Sequence, residues 1–339
     1  MAADSKIEWT DHTFNPWEGC QKVGPGCDHC YAESRNARFG GGQAINWGPG
    51  APRRRTSESN WNLPKRWNAQ ADVFMIQHGR RQRVFCASLA DVFDNAVDPQ
   101  WRADLFELIA ATPNLDWLLL TKRIGNVGNM LPVPFDFERL YPHVWIGATV
   151  VNQAEADRDI PKLQAVSAAK RFLSMEPLLG PVSFRWATWV DRPRMHRENG
   201  CEHHLDGMRG IDWVIVGGES GARARPMHPD WARSLRDQCQ EAGVPFLFKQ
   251  WGEWTAHDVD PNGASSHLCC IDRNGGECAL SRGADMREKG EPWWHLPAHP
   301  GRGTWGPDGI PAGVVEVRRT GKKAAGRLLD GREWNGVPE

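Results

Sequence analysis

The sequence has no apolar run near the length of about 18 residues that a membrane-crossing helix needs. Its opening, M-A-A-D-S-K-I-E-W-T-D, has no apolar stretch of the kind that starts a secretory signal. A soluble, cytoplasmic protein that meets no membrane is expected. Charge imbalance is also missing: 41 basic against 42 acidic side chains leave a net charge of -1. No field of the whole molecule draws in nucleic acid, so such a partner must be met by a local patch. Tyrosine is scarce, two residues against eighteen tryptophans, most of which read as core. The nine cysteines have neither an even number nor a disulfide framework's spacing, which leaves reduced thiols and metal ligands.

What the chain does have is a stretch from Asn15 to Tyr31, N-P-W-E-G-C-Q-K-V-G-P-G-C-D-H-C-Y. It sets Cys20, Cys27 and Cys30 in a C-x6-C-x2-C array among Gly19, Gly24, Pro25 and Gly26, where the backbone can fold back and bring three sulfurs to one point. Converging thiolates suit a soft metal. Zinc would recruit a fourth protein ligand, for which His12 and His29 stand near. A 4Fe-4S cluster on three cysteines leaves one iron open to a small molecule. No fourth cysteine follows within fifty residues. Iron-sulfur, zinc and plain thiols all remain open on spacing alone.

Short apolar runs recur at Arg83 to Ala87, Leu115 to Thr121, Val144 to Thr149, Arg171 to Ser174, Asp212 to Val216 and Pro245 to Phe248. They are β-branched or aromatic and mostly non-alternating, as strands buried on both faces of a parallel sheet are. Helical stripes lie between them, Trp101, Leu105, Leu108 and Ile109 after Pro99, and Trp231, Leu235 and Cys239 before Gly243. With a first strand feeding the cysteine loop, about seven βα-type strands predict an α/β fold, a complete or partial (β/α) barrel of TIM type. The barrel is expected over residues 1-255, with an insertion at about 189-210, a loop-rich insertion or lid over 256-312 and a small basic C-terminal element over 313-339.

In such a barrel the chemistry sits at the carboxyl ends of the strands. Those ends carry Ser88, Asp91 and Asp94; Thr121, Lys122 and Arg123; Thr149, Asn152 and Gln153; Glu176; Gly217-Gly218-Glu219-Ser220-Gly221; and Lys249-Gln250. The Gly-Gly-Glu stretch predicts a backbone that approaches a ligand closely and a carboxylate that receives an ammonium.

A three-cysteine loop after the first barrel strand, with Tyr31 directly after Cys30, resembles the radical S-adenosylmethionine (SAM) superfamily, although its x6 spacing departs from that superfamily's usual x3. The stretches I-E-W-T-D-H-T-F-N-P-W-E-G-C, G-C-D-H-C-Y-A-E, L-L-T-K-R, F-L-S-M-E-P-L-L-G-P, V-I-V-G-G-E-S-G, F-K-Q-W-G-E-W and G-K-K-A-A-G-R-L-L-D-G-R together resemble a phage-associated three-Cys-motif family of unknown function. T-K after the third strand and M-E-P after the fifth are similar to the spore photoproduct lyase-like branch, which acts on DNA lesions. The resemblance implies a barrel of the radical SAM kind and a 4Fe-4S cluster on Cys20, Cys27 and Cys30. It implies S-adenosylmethionine beside Tyr31, contacts from Ser88, Asp91, Thr149, Gly217, Gly218 and Glu219, and reaction roles for Lys122 and Glu176. It further implies an electron donor such as flavodoxin or ferredoxin, and modification or repair of a nucleic-acid base. The superfamily's G-G-E usually follows the second strand; here it follows the sixth, so Ser88 or Asp91 are alternatives for holding the SAM ammonium. A zinc-stabilised nucleic-acid-binding protein without catalysis, and a radical enzyme acting on a small molecule or protein, are the other readings.

Two basic clusters suit a phosphate backbone: Arg53-Arg54-Arg55 with Trp61, Lys65 and Arg66, and Arg318, Arg319, Lys322, Lys323 and Arg327. The second is expected to lie outside the cofactor site. Cys201, His203, His204, His267, Cys269, Cys270 and Cys278 offer a second metal site.

Overall fold

A computed structural model describes residues 5, 7–184, 206–256, 268–275, 277–278 and 314–338. The first strands are short: β1 (His12–Thr13), β2 (Trp17–Glu18) and β3 (Arg54–Arg55). The main strands follow as β4 (Gln82–Cys86), β5 (Leu115–Thr121), β6 (Val144–Thr149), β7 (Lys170–Met175), β8 (Trp213–Gly217) and β9 (Phe246–Gln250). Seven of these form one parallel sheet in the order β1-β4-β5-β6-β7-β8-β9. Neighbours in sequence are neighbours in space, as in a (β/α) barrel. Because β1 and β9 do not pair, the barrel is partial and open on one side. The expected runs at 115–121 and 144–149 coincide with β5 and β6, and the others fall within two residues of their strands.

The helices are α1 (Tyr31–Phe39), α2 (Glu58–Trp61), α3 (Leu63–Ala69), α4 (Ala71–His78), α5 (Pro99–Ala110), α6 (Ile124–Met130), α7 (Phe137–Leu140), α8 (Gln153–Gln164), α9 (Pro229–Ala242) and α10 (Lys322–Ala325). Proline opens α5 and α9, where its missing N–H is not needed, and Asp98 and His228 cap them. Gly243 ends α9 at φ 68, a left-handed turn that suits glycine.

Each sheet face has its own core. Outward residues such as Leu119, Ile146, Leu173, Val214 and Phe248 pack with helical Leu105, Ile109, Ile160, Leu163 and Leu235. Inward residues Phe85, Leu118, Trp145, Phe172, Trp213, Ile215 and Leu247 pack around Trp9. Burying each such side chain stabilises by about 1.5–3 kcal/mol, so the runs had to be apolar on both faces. Gly147 makes room in the inner core, since a Cβ there would fall inside the Phe172 ring.

A second, antiparallel sheet contradicts part of the expected loop-rich insertion. Its strands β10 (Trp254–Ala256), β11 (Leu268–Asp272), β12 (Glu277–Cys278) and β13 (Val314–Arg319) lie in the order β10-β13-β11-β12. Asn274-Gly275 between β11 and β12, with Gly275 at φ 91, is a hairpin signal that the polar composition of the stretch hid. The rest of that insertion, and nearly all of 189–210, lies outside the described residues.

The segment that follows α10 lies along β9. Leu247 bridges Asn335 antiparallel, the Phe248 N–H donates to the Trp334 carbonyl at 3.0 Å, and the Gly336 N–H donates to Phe246 at 2.9 Å. The indoles of Trp213 and Trp251 donate to the Gly336 and Leu328 carbonyls at 2.7 and 2.8 Å. An otherwise bare edge strand is thereby covered.

Candidate functional site

The cysteine loop lies over the carboxyl ends of the sheet. Cys20 follows Gly19, whose φ of 115 and whose distance of 2.6 Å from a Cβ to the Asn46 carbonyl leave room for no side chain. Pro25 to Cys27 form one 3-10 turn, and Cys30 caps α1. The loop is pressed onto the segment after β6: a Cβ on Gly26 would come within 2.7 Å of the Val151 side chain.

Beneath the loop is a cavity of about 600 Å³ lined by all three cysteines. Along each strand alternate residues face inward, apolar low down and polar at the carboxyl end: Phe85 then Ala87, Leu120 then Lys122, Trp145 then Thr149, Phe172 then Ser174 and Glu176, Leu247 then Lys249. Of the expected site residues, Lys122, Glu176, Tyr31, Ser88, Asp91, Thr149, Gly218, Glu219, Cys20, Cys27 and Cys30 all line this cavity. Gly217 stands just behind, where a Cβ would lie 3.3 Å from Glu176.

The carboxylates are not free to receive a ligand cation. Asp91 accepts from Thr121 at 2.8 Å, from the Phe93 and Lys122 amides at 2.9 and 3.1 Å, and from Arg123 at 3.0 Å. Glu176 is held by Lys249 at 2.7 Å and Gln250 at 2.8 Å. Glu219 accepts from the Arg225 guanidinium at 2.7 and 2.9 Å, from the Arg225 amide at 2.7 Å, and pairs with His29 at 3.1 Å. Burial raises the Glu219 carboxyl, but Arg225 and then His29 outweigh it and hold the group below its usual range. The glycines before it also serve the chain itself: a Cβ on Gly218 would fall on the Trp251 carbonyl. The expectation that Gly-Gly-Glu leaves open backbone and a free carboxylate is corrected accordingly.

Arginines tie the loop down. Arg225 reaches from Glu219 to Asp28 at 3.1 Å and to the Pro25 carbonyl at 2.9 Å. Arg123 donates to the Cys20 sulfur at 3.4 Å and to the Gln21 carbonyl at 2.9 Å. Burial, opposed by Arg123, pushes the Cys20 thiol up to about 11; burial raises the Cys30 thiol too. The sulfurs line one cavity but do not meet as tightly as the spacing suggested: among the described residues no three His, Cys, Asp or Glu close on a single ion position. Thiols set around a roomy cavity, next to Lys122 and Arg123 that balance thiolate charge, fit a multi-iron cluster. The zinc alternative loses its proposed fourth ligands. His12 is buried, stacked on Trp67 at 4.1 Å and bonded to Gln82 at 2.7 Å, and His29 is engaged by Glu219.

The first basic cluster is structural. Arg53 is buried on Asp94 at 2.8 Å, Arg54 pairs with Glu18, and Arg55 pairs with Asp104 and stacks on Trp61 at 4.1 Å. The second divides: Arg318 pairs with Glu316, Arg319 donates to the Gly221 carbonyl, and Arg327 meets Asn335, whereas Lys322 lines the cavity rather than lying outside it. The expected second metal site falls on residues whose side chains lie outside the described ones.

Arg225 was not foreseen. G-A-R-A-R-P belongs to no motif, and only the unusual position of Gly-Gly-Glu hinted at a different partner. Trp9 and Trp47, also cavity residues, were hidden among eighteen tryptophans.

Among solved structures, the chain is similar to spore photoproduct lyase complexed with dinucleoside spore photoproduct, at 14% identity and a TM-score of 0.37, covering 71% of this chain and 63% of that one. A serine-for-cysteine mutant of the same lyase gives 14% identity and a TM-score of 0.40, covering 70% and 74%. A double mutant with bound AdoMet and dinucleoside spore photoproduct gives 14% identity and 0.35, covering 91% and 68%. The chain thus spans less than two thirds of the first of these. No curated protein sequence matches it. The family described as protein of unknown function (DUF5131) matches residues 4–338, and the chain belongs to that family.

Proposed function

We propose that this chain is a radical SAM enzyme that modifies or repairs a nucleic-acid base in the cytoplasm. One observation carries the reading: three cysteines of one loop, and no fourth among the described residues, line a cavity at the carboxyl ends of a parallel partial barrel. Cys86 and Cys239 are buried elsewhere, in β4 and α9. A 4Fe-4S cluster on Cys20, Cys27 and Cys30, with one iron left to S-adenosylmethionine, supplies the electron that splits that molecule into methionine and a 5'-deoxyadenosyl radical. An electron donor such as flavodoxin or ferredoxin would reduce it.

The chain's own groups do the positioning. Arg123 bonds the Cys20 sulfur and Asp91 together, and Arg225 fixes the loop to the end of β8. Tyr31 lines the cavity with its hydroxyl donated to the Ser88 carbonyl at 2.6 Å, which sets its ring where the resemblance places SAM. Trp9, Phe85 and Leu120 make the lower wall apolar and keep water from a reactive centre. Lys122 and the Glu176–Lys249 pair face the space left for the substrate, and Lys322 stands in the wall as a cation for a phosphate.

The test is anaerobic reconstitution with iron and sulfide. The expected result is about four irons per chain, broad visible absorption and slow formation of 5'-deoxyadenosine from SAM under reductant. Iron should be lost when Cys20, Cys27 or Cys30 becomes Ala and kept in Cys86→Ala or Cys239→Ala. Stoichiometric zinc in colourless protein never exposed to air would overturn the reading.

A further inference from the structure

The cavity holds buried polar atoms that nothing in the chain satisfies. Thr149, 4% exposed on β6, has no partner for its hydroxyl. Gln250, 5% exposed on β9, gives its amide N–H groups to Glu176 and Ser220 and leaves Oε1 bare. The buried indole N–H of Trp9 is unpaired as well. All three residues line the same cavity. A buried polar group left unpaired costs about 1–3 kcal/mol, so three on one cavity are a standing cost in the free protein that a ligand would relieve.

Their chemistry says what kind of ligand. One is an acceptor, one a donor and one a hydroxyl able to do either. The charge between them is already spent internally, because both Glu176 oxygens are held by Lys249 at 2.7 and 2.9 Å. A charged ligand group gains no counter-charge here. An uncharged group with an N–H to give and a carbonyl or ring nitrogen to receive gains all three bonds, and Phe85 and Trp47 supply apolar and aromatic surface for the ring that carries it.

Resting on the nucleic-acid reading above, we infer that Thr149, Gln250 and Trp9 form a subsite for the uncharged hydrogen-bonding edge of the substrate's ring, a nucleobase or lactam of that type. It stands apart from the place beside Tyr31 and Ser88, so Thr149 is assigned to the substrate rather than to SAM. Its wall runs from β6 to β9, whereas Ser88 follows β4. A base must leave its stack to reach it.

The test measures binding of thymidine, uridine, cytidine, adenosine and guanosine, one at a time, by tryptophan fluorescence, and of SAM in parallel. Thr149→Val keeps the shape and removes the unpaired hydroxyl. It should leave the thermal midpoint equal or higher while weakening the bound nucleoside about 5–10-fold, the worth of one hydrogen bond. Gln250→Met should weaken the same nucleoside, and SAM affinity should change in neither variant. Should Gln250→Met fail to fold, Thr149→Val decides alone. The inference is overturned if the native protein binds no nucleoside at millimolar concentration, or if Thr149→Val weakens SAM and spares every nucleoside. Iron content and SAM cleavage, read on the same preparations, separate the two ideas. Nucleoside binding without iron sinks the radical reading alone; iron and cleavage without nucleoside binding sink the subsite alone.

Discussion

Arg225 donates to both oxygens of Glu219, to Asp28 and to the Pro25 carbonyl, so one side chain joins the cysteine loop to the end of β8. Removing one partner of a buried ion pair costs roughly 3–5 kcal/mol. With the Arg225 side chain 25% exposed, Arg225→Ala should fall near the low end, about 3 kcal/mol, read as a lower urea midpoint. Adding Glu219→Gln should recover part of that loss, because the charge left unpaired is then gone; a double variant no better than the single would refute the pairing. Cys20, Cys27 and Cys30 were legible as residues because ligand spacing is local. Arg225 and His29 were not, since their partner Glu219 lies about 190 residues beyond the loop and no local pattern announces so distant a pairing.

At the scale of the element, the strands were the most legible part, because a doubly covered parallel strand must be apolar throughout. Their depth was less so. Gly147 reads as an ordinary glycine in V-W-I-G-A-T, yet Phe172 of the next strand fills the space its side chain would take. Gly147→Ala should destabilise by about 1–3 kcal/mol through overpacking, and Phe172→Leu in the same chain should restore part of the thermal midpoint. His143, just before β6, is 4% exposed and donates from Nε2 to the Ile109 carbonyl at 3.0 Å. Burial pushes its pKa below that of a free histidine, near 6.5. Above about pH 6.5 folded and unfolded chains both hold it neutral; below, the unfolded chain takes the proton first, and stability falls until the folded pKa is reached. His143→Gln should flatten the decline of urea midpoints with falling pH below about 6.5. An unchanged slope would show that other groups set it.

For the whole molecule, seven βα-type strands were readable in advance, but openness was not, because closure depends on whether β1 meets β9 and no local pattern states that. The C-terminal element was read from its charges alone. Its arginines and lysines drew attention away from Leu328, Trp334 and Gly336, which bond to β9, to Trp213 and to Trp251. Deleting residues 328–338 should leave β9 bare and yield aggregating protein, seen as early elution in size-exclusion chromatography. Soluble monomer with an unchanged thermal midpoint would contradict that role.

The same strip sets an order in time. A ribosome makes β9 well before it reaches Asn335, and at about 5–20 residues per second the wait is on the order of several seconds. During that interval the nascent barrel offers an unpaired strand with Phe246, Leu247 and Phe248 to any other emerging chain. Slow synthesis between β9 and the strip, or a shortage of chaperones while it lasts, would therefore lower the yield of a chain whose finished form is stable.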